Sequence, residues 1–254
     1  MIILRLRILC RHRNIRQRDD IEDLLRIFLI DSFESNEIYI ISPWVSSFKF
    51  NRKVIYYPYL STYSVDEVLK ILIDCGVKVN ILVRCFDDFI SPELIYFLYK
   101  VSTGSIKLTL DLLNYLKREL ERILYRLNTA KRIEESGVNI RTDLGIGDDM
   151  NVWYRLHSKI YINNKYALIG SANFTRGGIV KNGNWECLIK VPSNYPLYKD
   201  IVDYAKKYYD HGRDYNECIN RVLNIINRYL SPLNIPVRNL DDLKKIISEI
   251  LSLI

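Results

Sequence analysis

Long apolar runs are missing from this 254-residue chain. Crossing a bilayer takes about 20 predominantly apolar residues, and no stretch reaches that, so no stable membrane association is expected. The opening Met1–Leu9 is interrupted by Arg5 and Arg7. It is too short and too charged for a secretion leader and reads as an edge strand or a basic arm. Cysteine is scarce and unpatterned: Cys10, Cys75, Cys85, Cys187 and Cys218 are scattered, odd in number and without CxxC spacing. They are expected to be reduced, without zinc, in a cytoplasmic setting. A phosphate-cradling glycine loop is also missing, because Gly145-Ile146-Gly147 lacks that pattern. Only three histidines occur. His12, between Arg11 and Arg13, and His211, before Gly212, have no organised polar neighbours and read as structural or solvated.

The chain is 48% hydrophobic and 12% aromatic, enough for a full core. The net charge of +7 and the pI near 9.0 lean towards anionic partners, although many surface lysines and arginines serve only solvation. Asp19 or Asp20 can cap a helix carrying Ile21, Leu24, Leu25, Phe28 and Leu29 at helical spacing. Ile38–Ile41 follows as a buried strand and stops at Ser42-Pro43-Trp44, where proline cannot donate to a ladder. Residues 47–64 read as a loop near the mouth of a site. Val65–Cys75 is a helix ended by Gly76, Val77–Val83 a strand, and Ser91-Pro92 opens another helix. The longest helix is Leu110–Ser136; Arg118, Arg122 and Arg126 stack along it as a solvated row, with a nucleic-acid rail the minority reading. Val138–Thr142 is the next strand, and Tyr195–Tyr209, Asn216–Leu230 and Asn239–Ile254 are further helices. In the last, Leu243, Ile246, Ile247, Ile250 and Leu251 cover the core or face a partner. Alternating helices and strands argue for parallel crossovers. The expected fold is α/β, a mixed, largely parallel sheet flanked by helices on both faces, with extra C-terminal helices. Residues 1–212 form the α/β domain and 213–254 a helical extension.

One stretch organises the rest: His157 to Thr175. Val152–Leu156 and Tyr166–Ile169 read as strands, with positive backbone φ at Asn163-Asn164 allowing a tight hairpin. Side chains alternate along a strand, so His157, Lys159 and Tyr161 share one face. Gly170 ends the second strand, and Ser171 and Asn173 follow as small polar donors. An imidazole, an ammonium, a hydroxyl and an amide at strand ends suit an oxyanion, above all a phosphate. Arg176, before Gly177-Gly178, is a candidate phosphate contact, and the two glycines allow close backbone approach to a ligand.

This stretch resembles the signature of the phospholipase D superfamily: His, any residue, Lys, four residues, Asp, then Gly-Ser-x-Asn. His157, Lys159, Gly170, Ser171 and Asn173 match, while Asn164 stands where the family has Asp. The Ser-Pro-aromatic strand end at Ser42 also resembles the start of that unit. The resemblance implies a catalytic set of His157, Lys159, Ser171 and Asn173, with Glu186 accepting a hydrogen bond from the imidazole. It implies no metal and no cofactor.

Only one His-x-Lys motif occurs, and a single imidazole cannot attack phosphorus and protonate the opposite leaving oxygen together. The family pairs two motifs, so a one-motif chain is expected as a homodimer with His157 of both subunits at a shared site. The implied activity is a metal-independent phosphodiesterase, an endonuclease working through phosphohistidine with nucleic acid as substrate. Two alternatives stand beside it. One is a phospholipid-cleaving enzyme using an apolar approach surface among Trp44, Phe48, Phe50, Tyr56, Tyr57 and Tyr59. The other is a non-catalytic nucleic-acid-binding dimer, for which Asn164 is the support.

Overall fold

The structure is a computed structural model and describes residues 7–10, 21–50, 63–107, 109–145, 156–180 and 186–252. The expected cap at Asp19 or Asp20, Tyr56, Tyr57, Tyr59, His12 and residues 152–155 of the expected strand Val152–Leu156 lie outside these; Leu156 itself is described and is not in a strand. Contacts divide the chain into two compact units: residues 1–84 with 130–213, and 85–129 with 214–254. Residues 85–129, expected inside the α/β domain, group instead with the C-terminal helices.

The first unit carries the sheet. Its strands are β1 (Arg7–Cys10), β2 (Glu37–Ile41), β3 (Lys78–Arg84), β4 (Asn139–Asp143), β5 (Ile160–Ile162), β6 (Tyr166–Gly170), β7 (Cys187–Pro192) and the two-residue β8 (Arg213–Asp214), in the order β1-β7-β6-β5-β2-β3-β4-β8. The sheet is mixed, as expected, but not largely parallel: the β5-β6-β7 connections are hairpin-like, and only β2-β3-β4 are joined by helical crossovers. β2-β3-β4 pair in parallel, whereas β2-β5, β5-β6, β6-β7 and β1-β7 are antiparallel. Parallel neighbours need crossovers: α2 (Val65–Asp74) lies between β2 and β3, and α4 (Leu110–Glu135) precedes β4.

Both faces are covered because alternate residues of β5 are apolar on both sides. Ile160 and Ile162 join Ile41, Leu82, Val191, Ile201, Ala205 and Tyr209 in one core, beneath α6 (Pro196–His211). Tyr161 alternates to the other face, where its ring lies 6.0 Å from Phe28 of α1 (Ile21–Asp31) and 6.0 Å from Phe174. Phe48 and Phe50 are buried in that second layer, Phe48 6.0 Å from Phe174 and Phe50 under the Arg26 guanidinium. They are therefore core residues and not part of an apolar approach surface.

The second unit is helical. It comprises α3 (Pro92–Ser102), the first part of α4, α7 (Tyr215–Leu230) and α8 (Leu240–Ser252). Ser91 caps α3 by accepting the Leu94 N–H, as Ser91-Pro92 led one to expect. A disulfide joins Cys85 to Cys218, and an ion pair of 2.9 Å joins Arg221 to Asp87. Cys187 of the first unit is disulfide-bonded too, and Cys75 is free and exposed. The expectation of uniformly reduced cysteines is thereby corrected. Cysteines 133 residues apart in sequence meet at a Cα separation of 5.4 Å, and sequence spacing carries no sign of that. Leu243, Ile246 and Ile247 are buried within this unit, so they serve its core and are not open to a partner. The arginine row is not simply solvated. Arg122 pairs with Glu119 at 2.6 Å, Arg118 lies over the Tyr115 ring, and burial, with Arg122 nearby, brings Arg126 down to about 10.

Candidate active site

Strand direction gathers the polar residues at one edge of the sheet. Ile41 pairs with Leu82 on one side and Ile160 on the other. The carboxyl ends of the parallel strands β2 and β3 therefore meet the amino end of the antiparallel β5. Ser42, Arg84 and Lys159 follow or precede those pairs. Gly170 pairs with Leu188, which adds Ser171 and Glu186 at the same edge. Gly170 has to be glycine, because a Cβ there would stand 2.0 Å from the Cys187 carbonyl oxygen, the acceptor of the Ser171 N–H at 3.0 Å.

His157 and Lys159 do converge. The Lys159 ammonium lies 3.1 Å from Nδ1 and 3.4 Å from Nε2 of His157 and donates to the His157 carbonyl at 2.5 Å. Lys159 is buried and His157 exposed, so the cation is held from behind while the ring stays open to a reactant. Lys159 lowers the His157 pKa first, with burial and Arg84 adding to it. The imidazole is thus favoured in its neutral, nucleophilic form. Burial lowers the Lys159 pKa, Arg84 pushes the same way, and Glu186 opposes both.

Glu186 is buried beside this pair but does not orient the imidazole as the resemblance implied. It accepts the Ser171 hydroxyl at 2.5 Å, and Ser171 Oγ accepts the Cys187 N–H at 3.0 Å. Ser171 immediately follows Gly170, and Glu186 immediately precedes β7, so the paired strands set Ser171 opposite Cys187 with Glu186 one residue away. The Tyr161 hydroxyl donates to the Ala172 carbonyl at 2.6 Å and fixes the loop between Ser171 and Asn173. Asn173 Oδ1 is buried with no hydrogen-bond partner among the described residues. A Cβ on Gly178 would stand 2.3 Å from the Asn173 carbonyl oxygen. That glycine admits the protein's own loop, not a ligand as expected. Arg176 is exposed, and its backbone N–H donates to Ser46 Oγ at 3.2 Å. No described contact joins its side chain to His157.

The hairpin turn differs from its expectation. Asn234 is the only described non-glycine residue with positive φ, so Asn163 and Asn164 do not turn that way. Asn163 Oδ1 instead accepts the N–H groups of Lys165 and Tyr166, each at 3.0 Å, and the side chain itself makes the turn. Asn164 stands at the end of β5 opposite His157. Its amide donates to the Glu34 carbonyl at 2.8 Å and accepts the Ser35 hydroxyl at 3.0 Å. Asn164→Asp loses that donor and sets a carboxylate beside a carbonyl, so a stability loss of about 1 kcal/mol is expected. Turnover should stay within a few-fold of the parent; a large gain in rate would instead mark the natural chain as partly degenerate.

Arg84 and Asp143 escaped sequence reading. Arg84 closes an apolar strand, and Asp143 is its register partner on β4. Asp143 accepts the Gly145 N–H at 3.0 Å and the Leu156 N–H at 2.5 Å, tying down the residue before His157. The parallel β2-β3-β4 order was the one signal pointing to both, since carboxyl ends of adjacent parallel strands share an edge. Among the described residues, no three His, Cys, Asp or Glu side chains stand together as a metal site.

Residues 51–211 match the family described as cardiolipin synthase, PLD-like domain. The chain belongs to the phospholipase D-like family. Solved structures similar to it include NucT from Helicobacter pylori, 14% identical, TM-score 0.45, covering 82% of this chain and 98% of that one. Nuc from Salmonella typhimurium, a phospholipase D family member, is 15% identical with TM-score 0.43, covering 83% and 98%. Phosphatidylserine synthase of Haemophilus influenzae is 16% identical with TM-score 0.40, covering 85% of this chain but only 44% of that one. No curated protein matches. The assignment rests on the matched residues alone.

Proposed function

We propose that this phospholipase D-like chain is a metal-independent phosphodiesterase that cleaves nucleic acid, working as a homodimer with a shared site. The observation that carries the reading is the exposed His157 ring set 3.1 Å from the Lys159 ammonium. A ring nitrogen of His157 attacks phosphorus; the P–N bond forms, the P–O bond to the leaving alcohol breaks, and His157 of the partner subunit supplies the proton that alcohol takes. A water then gives its proton to the partner's His157 and attacks phosphorus, and the P–N bond breaks. Lys159 neutralises the phosphoryl oxygens, Ser171 and Asn173 complete the cradle, and Glu186 fixes Ser171. Arg84 adds positive charge, and Arg176 is a peripheral strand contact. The dimer is supported by the single His-x-Lys motif, because in-line displacement needs a nucleophile and an acid on opposite sides of phosphorus. The net charge of +7 supports a polyanionic substrate.

No helix among the described residues is long and apolar enough to cross a membrane. A cytoplasmic location is part of the proposal. The Cys85–Cys218 bond counts against it, because disulfides are rare where thiols are kept reduced.

The test is a panel of single-stranded DNA, duplex DNA, RNA, a short-chain phospholipid and a chromogenic phosphodiester, each with a strong chelator present. Cleavage of at least one nucleic acid is expected to survive the chelator. Complete loss restored by magnesium would overturn the histidine mechanism, and cleavage of the phospholipid alone would overturn the nuclease reading.

A further inference from the structure

A cleft of about 390 Å³ opens between α6 and the β5–β6 hairpin, lined by Ser158, Ile160, Ile169, Asp200, Ile201 and Tyr204 among others. Lys159 and Gly170 also line it, so it borders the candidate active site. Its walls are largely aliphatic, and its rim leaves two large side chains in solvent: Leu197 is 41% exposed and Tyr204 49%. Tyr204 is braced as a platform. Its ring centroid lies 5.6 Å from that of Tyr208 at an interplanar angle of 30°, and its hydroxyl is 3.5 Å from Ser158 Oγ.

We propose that this cleft is a nucleobase subsite, with Tyr204 stacking on the base next to the scissile phosphate and Asp200 accepting a hydrogen bond from that base. The inference deepens the nuclease reading and rests on it. An exposed carboxylate repels phosphate, so the part of the substrate that enters here is not its backbone. An acyl chain would desolvate Asp200 without giving it a partner. A nucleobase supplies an apolar face for the ring and an N–H edge for the carboxylate, as in carboxylate recognition of the cytosine amino group. The cleft volume is in the range of small-ligand sites. Ser158 and Lys159 both line the cleft at the amino end of β5. A strand with its phosphate at His157 therefore turns its neighbouring base over the sheet edge into the cleft.

The experiment uses the full chain and two single-stranded oligonucleotides, each with one cleavable linkage. They are identical except that the nucleotides flanking that linkage carry cytosine in one and a stable abasic analogue in the other. In the parent, removal of the base should raise KM about tenfold or more, the scale of one base–aromatic stack. In Tyr204→Ala the same removal should cost several-fold less than in the parent, because the stack is already gone and only the Asp200 hydrogen bond is left to lose. Tyr204→Phe should restore the parent's base dependence. An equal penalty in the parent and in Tyr204→Ala, or none in the parent, would overturn the subsite. So would a parent indifferent to the base in which Tyr204→Ala slows hydrolysis of a short-chain phosphatidylcholine, since the occupant would then be an acyl chain. If the parent cleaves neither oligonucleotide, the nuclease reading has failed. Equilibrium titration of the parent with the same two then decides the subsite: a lost affinity difference overturns it and a retained one supports it.

Discussion

Replacing Lys159 by Met is expected to lower kcat by roughly 100- to 1,000-fold while leaving the fold intact. That range is typical of removing one preorganised donor from a developing oxyanion, and Lys159 is the closest cation to His157. Stability should change little. Burial already disfavours the charged Lys159 side chain, and methionine fills a similar volume without a charge to desolvate. A thermal midpoint within about 4 °C of the parent is the expected result. The same variant has a signature independent of turnover. Lys159 is the largest cause of the lowered His157 pKa, so removing the cation favours the protonated ring. His157 followed by NMR should titrate higher in Lys159→Met, closer to the ordinary value of about 6.5. A melt that collapses would make Lys159 a structural residue, and an unmoved His157 titration would remove its electrostatic role.

The second large effect concerns sharing of the site. If each site uses His157 from both subunits, a dimer of one parent and one His157→Ala chain is inactive. Mixed equally and fully exchanged, random pairing leaves about one quarter of the dimers intact, and activity follows the square of the parent fraction. Independent subunits would retain about one half at equal mixing, in simple proportion. Exchange has to be verified by mass or by tagged subunits, since unexchanged homodimers give the linear result trivially. A linear dependence with proven exchange would end the dimeric mechanism and send the search for the acid to a group within the same chain. His211 is then a poor choice, because its Nδ1 lies 2.6 Å from the Lys207 carbonyl at the end of α6.

Much of the architecture was legible because it rests on local patterns. The apolar spacing of α2, the Ser91-Pro92 start of α3 and the glycine after α4 each placed an element within a residue or two. His157 and Lys159 were legible for the same reason: period-two geometry predicted the convergence that the 3.1 Å contact displays. What stayed hidden depends on contacts between residues far apart in sequence. Glu186 meets Ser171 and not His157 because the register of β6 on β7 sets Ser171 opposite Cys187, next to Glu186. Arg84 enters the site only once β3 is known to run parallel beside β2. Cys85 and Cys218 carry no local sign of their bond, and neither does the grouping of residues 85–129 with the C-terminal helices. Phe48 and Phe50 read as exposed aromatics in an aperiodic segment, yet they are buried against Phe174 and Arg26.

The central claim is that His157 is a nucleophile and bonds covalently to phosphorus before water does. Stereochemistry at phosphorus tests it without trapping an intermediate. A nucleotide diester made chiral by sulfur at the scissile phosphorus is cleaved in ¹⁸O-water, and the configuration of the product is read. Two successive in-line displacements, by His157 and then by water, predict net retention. Net inversion would mean that water attacks directly in one step and would contradict the account.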